Sequence, residues 1–195
     1  MAVAAIPPGV EVEQGLQRMA DPRCWGPIIG AVGASVFVHA NRHQLPHAAS
    51  IAAVVLWTAA LAASLWAVYL MPRRFPPPRP LPRRAGWVYL SSVVVMIAVI
   101  QAGRAILHTA ERPDVAPAII VIAVGLHFLP FARAFRTPMF ARLGIVMTAL
   151  GGMGLLLGLA WTATAAAAAA VTSGLVMLVV ITEDALRDRV ARREV

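Results

Sequence analysis

From Leu143 to Thr182 the chain runs 40 residues without a charged side chain. About 20 apolar residues carry a helix across a hydrocarbon core about 30 Å thick, so this run is too long for one span and right for two. Its polar spots, Trp161, Thr162 and Thr164, mark the corner between spans at 143–161 and 164–182. Composition agrees: 59% of the residues are hydrophobic and 13% charged, with mean hydropathy +0.74. A soluble domain is typically about 45–50% apolar and about 25% charged, so the soluble classes are excluded.

Segmenting the rest of the chain at charges and prolines predicts four more spans, at 24–40, 48–71, 86–108 and 115–132. The expected fold is an all-α polytopic membrane bundle of six transmembrane helices, built as three hairpins in one domain. The segment 24–40 is the shortest and needs Cys24 and Trp25 to reach spanning length. Residues 72–85 form a linker, with PRRFPPPRPLPRR expected to be extended in polyproline II beside anionic headgroups. The tail, 183–195, places Glu183 and Asp184 ahead of Arg187 and Arg189, in register for helical ion pairs. The first residues, MAVAAIPPGVEVEQ, lack the charged start and apolar run of a signal peptide and read as retained.

All 17 cationic residues are Arg, against nine acids. Positive residues in short loops stay on the cytoplasmic side of a membrane. Arg18 and Arg23 precede the first span, Arg73, Arg74, Arg79, Arg83 and Arg84 lie in the linker, Arg133, Arg136 and Arg142 lie between spans four and five, and Arg187, Arg189, Arg192 and Arg193 lie in the tail. Six alternating spans put all fourteen on one side, which predicts both termini in the cytoplasm. Arg42 and Arg112 fall on the other side, and Arg104 falls within span three. The scatter of Arg between apolar runs argues against nucleic acid as a partner.

An ionisable group inside a span is costly and is a functional candidate by default. Gln101, Arg104, His108 and Glu111 follow at i, i+3, i+7 and i+10, one helical stripe, with Arg104 about 27 Å from Gly86 and so near the outer interface. Snorkelling, or pairing with Glu111 or Asp114, is one expectation, and an outer ligand pocket of Gln101, Arg104 and His108 is the other. His127 lies deeper, about 17 Å in from Ala116, with Pro130 expected to kink the helix three residues later. Either a neighbouring helix satisfies it or it contacts a ligand or relays protons. His39, His43 and His47 are spaced as helical metal ligands, but Pro46 breaks the pattern, leaving His39 and His43 as weak candidates and no metal as the expectation.

Gly26, Gly30 and Gly33 in the first span, and Gly151, Gly154 and Gly158 in the fifth, have the small-residue spacing of close helix packing within the bundle or between protomers. They do not read as a phosphate loop, because no strand, Lys or Ser/Thr of that motif accompanies them. The single cysteine, Cys24, excludes an intramolecular disulfide or a Cys-based metal cluster. No nucleophile elbow, H-E-x-x-H or paired intramembrane carboxylates occur in the sequence. The chain therefore reads as a non-enzyme, and no cofactor is expected.

The string GLHFLPFARAFRTPMF resembles a segment of a family of uncharacterised small bacterial multi-pass membrane proteins with a G-x-H-F-L-P core, matched here by Gly125, His127, Phe128, Leu129 and Pro130. The likeness covers about one helix and its inner loop, carries no assigned activity, and implies a bacterial multi-pass protein. The exclusive use of Arg with abundant Ala points the same way, to a GC-rich bacterial genome. The expected setting is the bacterial inner membrane. The expected role is a non-enzymatic accessory or self-associating subunit, whose partners are the bilayer and its own copies or another membrane protein. The alternative is a small transporter or ligand-binding protein using Gln101, Arg104, His108 and His127.

Overall fold

The computed structural model describes residues 11–13, 25–71, 73–75, 85–135 and 137–190. Six helices make up the body: α1 (Trp25–Asn41), α2 (His47–Leu65), α3 (Ala85–Thr109), α4 (Ala116–Ala134), α5 (Pro138–Ala160) and α6 (Ala163–Val190). Five of them are long and apolar enough to cross a membrane. The sixth, α1, has 17 residues, about 25 Å at 1.5 Å per residue.

Prolines and turns set the ends of the helices. Pro46, held at φ −53 and ψ 147, precedes His47 at the start of α2, after a 3-10 turn over Arg42–Gln44. The C-terminal end of α2 widens into a π-helical turn, Trp66–Leu70. Beyond α3, the Arg112 N–H donates to the Leu107 carbonyl (2.8 Å) and the Glu111 N–H to the His108 carbonyl (3.1 Å). This is a Schellman stop, whose left-handed position is usually Gly. Here Glu111 occupies it at φ 56. Glu111 thus lies past the helix end, and the four-residue stripe expected from its spacing is reduced to Gln101, Arg104 and His108.

Three further features depart from the sequence reading. α5 begins at Pro138, so Arg142 lies within the helix rather than in a loop. α6 runs unbroken to Val190, so Glu183, Asp184 and Arg187, expected in a tail beyond the span, continue it as the last turns of the same helix. Arg73–Phe75 (β2) is not polyproline II but pairs antiparallel with Glu11–Glu13 (β1), setting Glu11 opposite Phe75 and Glu13 opposite Arg73. The rest of the linker, Cys24 and residues 191–195 lie outside the described residues.

α6 is the axis of the bundle, packed on by α1, α2, α4 and α5. Its alanine tract explains the position: Ala166, Ala167 and Ala170 are fully buried, and side chains this small let neighbouring backbones approach. A Cβ on Gly154 would meet the Ala169 methyl, and one on Gly158 would meet Val115 and Ala166. Gly174 lies against the Ala34 carbonyl of α1, and Gly30 against Ile181. Polar groups reinforce the seams. Buried Ser64 of α2 donates to the Leu178 carbonyl of α6 (3.0 Å) and lies 2.8 Å from Thr182 Oγ1, while Trp57 Nε1 donates to Ser35 Oγ of α1 (3.1 Å).

α3 is the exception. Among the helices it packs chiefly along α4, where Gly103 faces Ile119. Only 11% of its apolar stretch is buried, against 61% for α6.

Candidate functional site

The candidate residues fall in two places on the α3–α4 pair. Gln101, Arg104 and His108 lie on the outward face of α3, and all three are exposed. Arg104 has no hydrogen bond or ion pair among the described residues. The expected partner Asp114 instead pairs with Arg112, whose Nε lies 3.5 Å from its Oδ1. Ala98, Ala102 and Ala105 are also exposed, on the adjoining side of α3. The groove described below, among the described residues, does not include any of these side chains.

His127 belongs to the other end of α3. With Ala123, Leu126 and Pro130 of α4 and Val88, Ser91, Ser92 and Val95 of α3, it lines an open groove of about 210 Å³. Arg104 is fifteen residues along α3 from Tyr89, which packs beside His127, a separation of about 22 Å. One cavity joining Arg104 to His127 is therefore not formed. The imidazole packs edge-on against Phe131 with centroids 4.5 Å apart, and its buried Nδ1 has no hydrogen-bond partner among the described residues. α4 continues through Pro130 to Ala134. Having no N–H, Pro130 cannot donate to the Leu126 carbonyl one turn back.

Behind His127 stands an aromatic cluster. Tyr89 stacks on Phe131 (5.5 Å), Phe128 stacks on Phe140 of α5 (5.9 Å), and Phe135 meets Phe131 edge-on (5.5 Å). Four of the chain's six Phe residues are gathered here. The G-x-H-F-L-P segment thus supplies packing at the α3, α4 and α5 junction: Gly125 admits the α5 backbone on one side, and the rings fill the other.

The histidines near α2 are separate. His39 packs edge-on against Trp57 (4.4 Å), whereas His43 and His47 are exposed. Among the described residues, no group of three or more His, Cys, Asp or Glu side chains is placed to hold a metal ion. Of the glycines expected at helix contacts, Gly30, Gly151, Gly154 and Gly158 lie where a Cβ would press on a neighbouring helix or turn, Gly33 has ordinary room beside Met177, and Gly26 faces open space.

Two charged groups acquire partners that spacing alone does not reveal. Arg112, in the turn before α4, donates to the Leu159 carbonyl (3.1 Å) and the Gly158 carbonyl, placing a cation on the C-terminal end of α5. Arg142 of α5 reaches Glu183 (3.5 Å) and Asp184 (3.2 Å) of α6, and Arg187 pairs with Glu183 one turn on (3.6 Å). Both join residues more than forty positions apart, a distance at which helical periodicity is silent. The chain matches no protein-family model, no curated protein and no solved structure.

Proposed function

We propose that the chain is a six-span protein of a bacterial inner membrane, with both termini cytoplasmic, that acts as a non-enzymatic accessory or self-associating subunit. The observation carrying this reading is α3, a long apolar helix that leaves most of its stretch uncovered while the other helices gather around α6. Exposed Trp66 and Trp87 at the linker end, and Trp161 at the opposite end, suit the two interfacial aromatic belts of a membrane protein. The fourteen Arg expected inside support the orientation. α1 counts as the sixth span because its 17 residues lie at the short limit for crossing.

The test is the association state of the full chain in lipid nanodiscs, counted by single-molecule photobleaching, alone and with membrane extract. Association weakened by Ala102→Trp on the open face of α3 supports the reading. A monomer that takes up no membrane protein, with or without the substitution, contradicts it. The groove at His127 favours one second reading, a ligand-binding protein, but without Gln101, Arg104 and His108 in the same site. A ligand response lost in His127→Ala and kept in Arg104→Ala supports it.

A further inference from the structure

We propose that the groove between α3 and α4 at His127 binds a quinone-type lipid, a planar ring whose carbonyl accepts a hydrogen bond from His127 and whose apolar tail runs toward the middle of the helix pair. This deepens the ligand-binding reading and rests on it. Residues of different polarity are ordered along the groove. Its α3 wall runs from Val88 to Val99, about 16 Å at 1.5 Å per residue and half the depth of a hydrocarbon core of about 30 Å. The half nearer the start of α3 carries Ser91, Ser92 and, from α4, His127, whereas the half nearer its middle carries Val95, Met96, Val99 and Ala123. A polar end followed by an apolar length is the shape of an amphiphile lying along one leaflet.

The rim of the groove is apolar. Val95 and Leu126 both line it and are 60% and 43% exposed, so what enters comes from the bilayer and not from water. His127 lies seven residues before the end of α4, about 10 Å along the helix. That is too deep for a charged headgroup, and the ligand group that meets the ring has to be neutral.

The hydrogen-bonding groups select an acceptor oxygen. Ser91 Oγ donates to the Val88 carbonyl (3.2 Å) and Ser92 Oγ to the Tyr89 carbonyl (2.9 Å), so both hydroxyl protons are used within α3. His127 is served less well. Its enclosed Nδ1 has no partner among the described residues, and the ring's approach to the backbone is at Ser92, in the wall of the groove itself. A neutral imidazole has one N–H, and an enclosed N–H left unpaired is rarer than an enclosed lone pair. The proton therefore belongs on Nε2, directed across the groove, where a ligand carbonyl can share or replace the Ser92 contact. Tyr89, half-exposed, packs beside His127 at this end and adds a flat surface. An apolar cavity of about 150 Å³ holds one benzene, so the groove's volume of about 210 Å³ holds a six-membered ring with its oxygens and the root of a tail.

The test measures uptake of a tritium-labelled decyl-benzoquinone by the full chain in phosphatidylcholine nanodiscs, against empty nanodiscs. Decylbenzene, with the same tail and a ring but no carbonyl, is the competitor. Uptake is expected to saturate, and decylbenzene to compete about fivefold to tenfold more weakly than unlabelled quinone, a comparison that needs no variant. His127→Phe should weaken uptake by a similar factor, His127→Gln, which keeps a donor, should largely retain it, and Val95→Trp should block it from the exposed rim. Circular dichroism and gel filtration identical to wild type confirm that the variants fold. Equal competition by decylbenzene, or uptake unchanged in His127→Phe, overturns the proposal. If such uptake is still blocked by Val95→Trp, the quinone proposal fails while the ligand-binding reading stands. If neither compound is taken up beyond the empty nanodisc, both fail.

Discussion

Gly125 of α4 and Gly144 of α5 meet backbone to backbone: a Cβ added to Gly144 would lie 2.9 Å from the Gly125 carbonyl oxygen, and one added to Gly125 would lie 2.6 Å from the Thr148 nitrogen. Side chains of Leu129 and Thr148 stand as close, but the main-chain obstacles relax only if the helices separate. Gly125→Ala is therefore expected to destabilise the bundle by about 1–3 kcal/mol, the usual cost of overpacking. Gly152 in the same helix has nothing within 4 Å of an added Cβ, so Gly152→Ala should be neutral or gain up to about 1 kcal/mol. Unfolding titrations in mixed micelles compare the two, and equal effects would contradict the α4–α5 contact.

Arg112 ties the α3–α4 turn to the end of α5 through the Gly158 and Leu159 carbonyls. Removing a cation from a helix C-terminus, with its hydrogen bonds, costs about 1–2 kcal/mol, so Arg112→Ala should lose that much. Asp114→Ala, which removes only a half-exposed ion pair, should lose less than about 1 kcal/mol. Hydrogen exchange in the last turn of α5 should quicken in the first variant alone.

Glu111 adopts φ 56, a conformation suited to Gly. Left-handed backbone costs a non-Gly residue roughly 1–2 kcal/mol. Glu111→Gly at this helix stop is expected to raise stability by about 1 kcal/mol in the same titration, after the added flexibility of the unfolded chain is counted. A loss of stability would mean that the Glu111 side chain has a role its position does not reveal.

Arg142 meets two carboxylates of α6, all three groups from about a third to a half exposed. At that exposure, screening keeps the coupling near 0.5–1 kcal/mol. A double-mutant cycle of Arg142→Gln with Asp184→Asn should show this coupling at low salt and lose most of it at about 1 M salt, where the Debye length is about 3 Å. A salt-independent value would point to packing rather than charge.

The sequence exposes local stops and hides partners. Pro46 ends one element and starts another by its own geometry, and the polar step at Trp161 and Thr162 breaks an otherwise featureless run. Neither depends on any distant residue. By contrast, the alanine tract 165–170 allows close approach on every side but does not say which helices gather on it. The stripe of Gln101, Arg104 and His108 fixes a helix face but not what that face meets. Only the pairing of α3 with α4 separates it from His127. The strand pair between Glu11–Glu13 and Arg73–Phe75 spans sixty positions and has no local signature at all.

The proposed six spans with both ends inside depend on α1 crossing the membrane. In a Cys24→Ser background, single cysteines at Gln17, Gln44 and Ala191 report the side of each end and of the α1–α2 turn to a membrane-impermeant maleimide in intact cells. Labelling of Gln44→Cys alone, with Gln17→Cys and Ala191→Cys reacting only after permeabilisation, is the predicted result. Labelling of both Gln17→Cys and Gln44→Cys from outside would mean that α1 lies on the membrane rather than across it, and would contradict the six-span account.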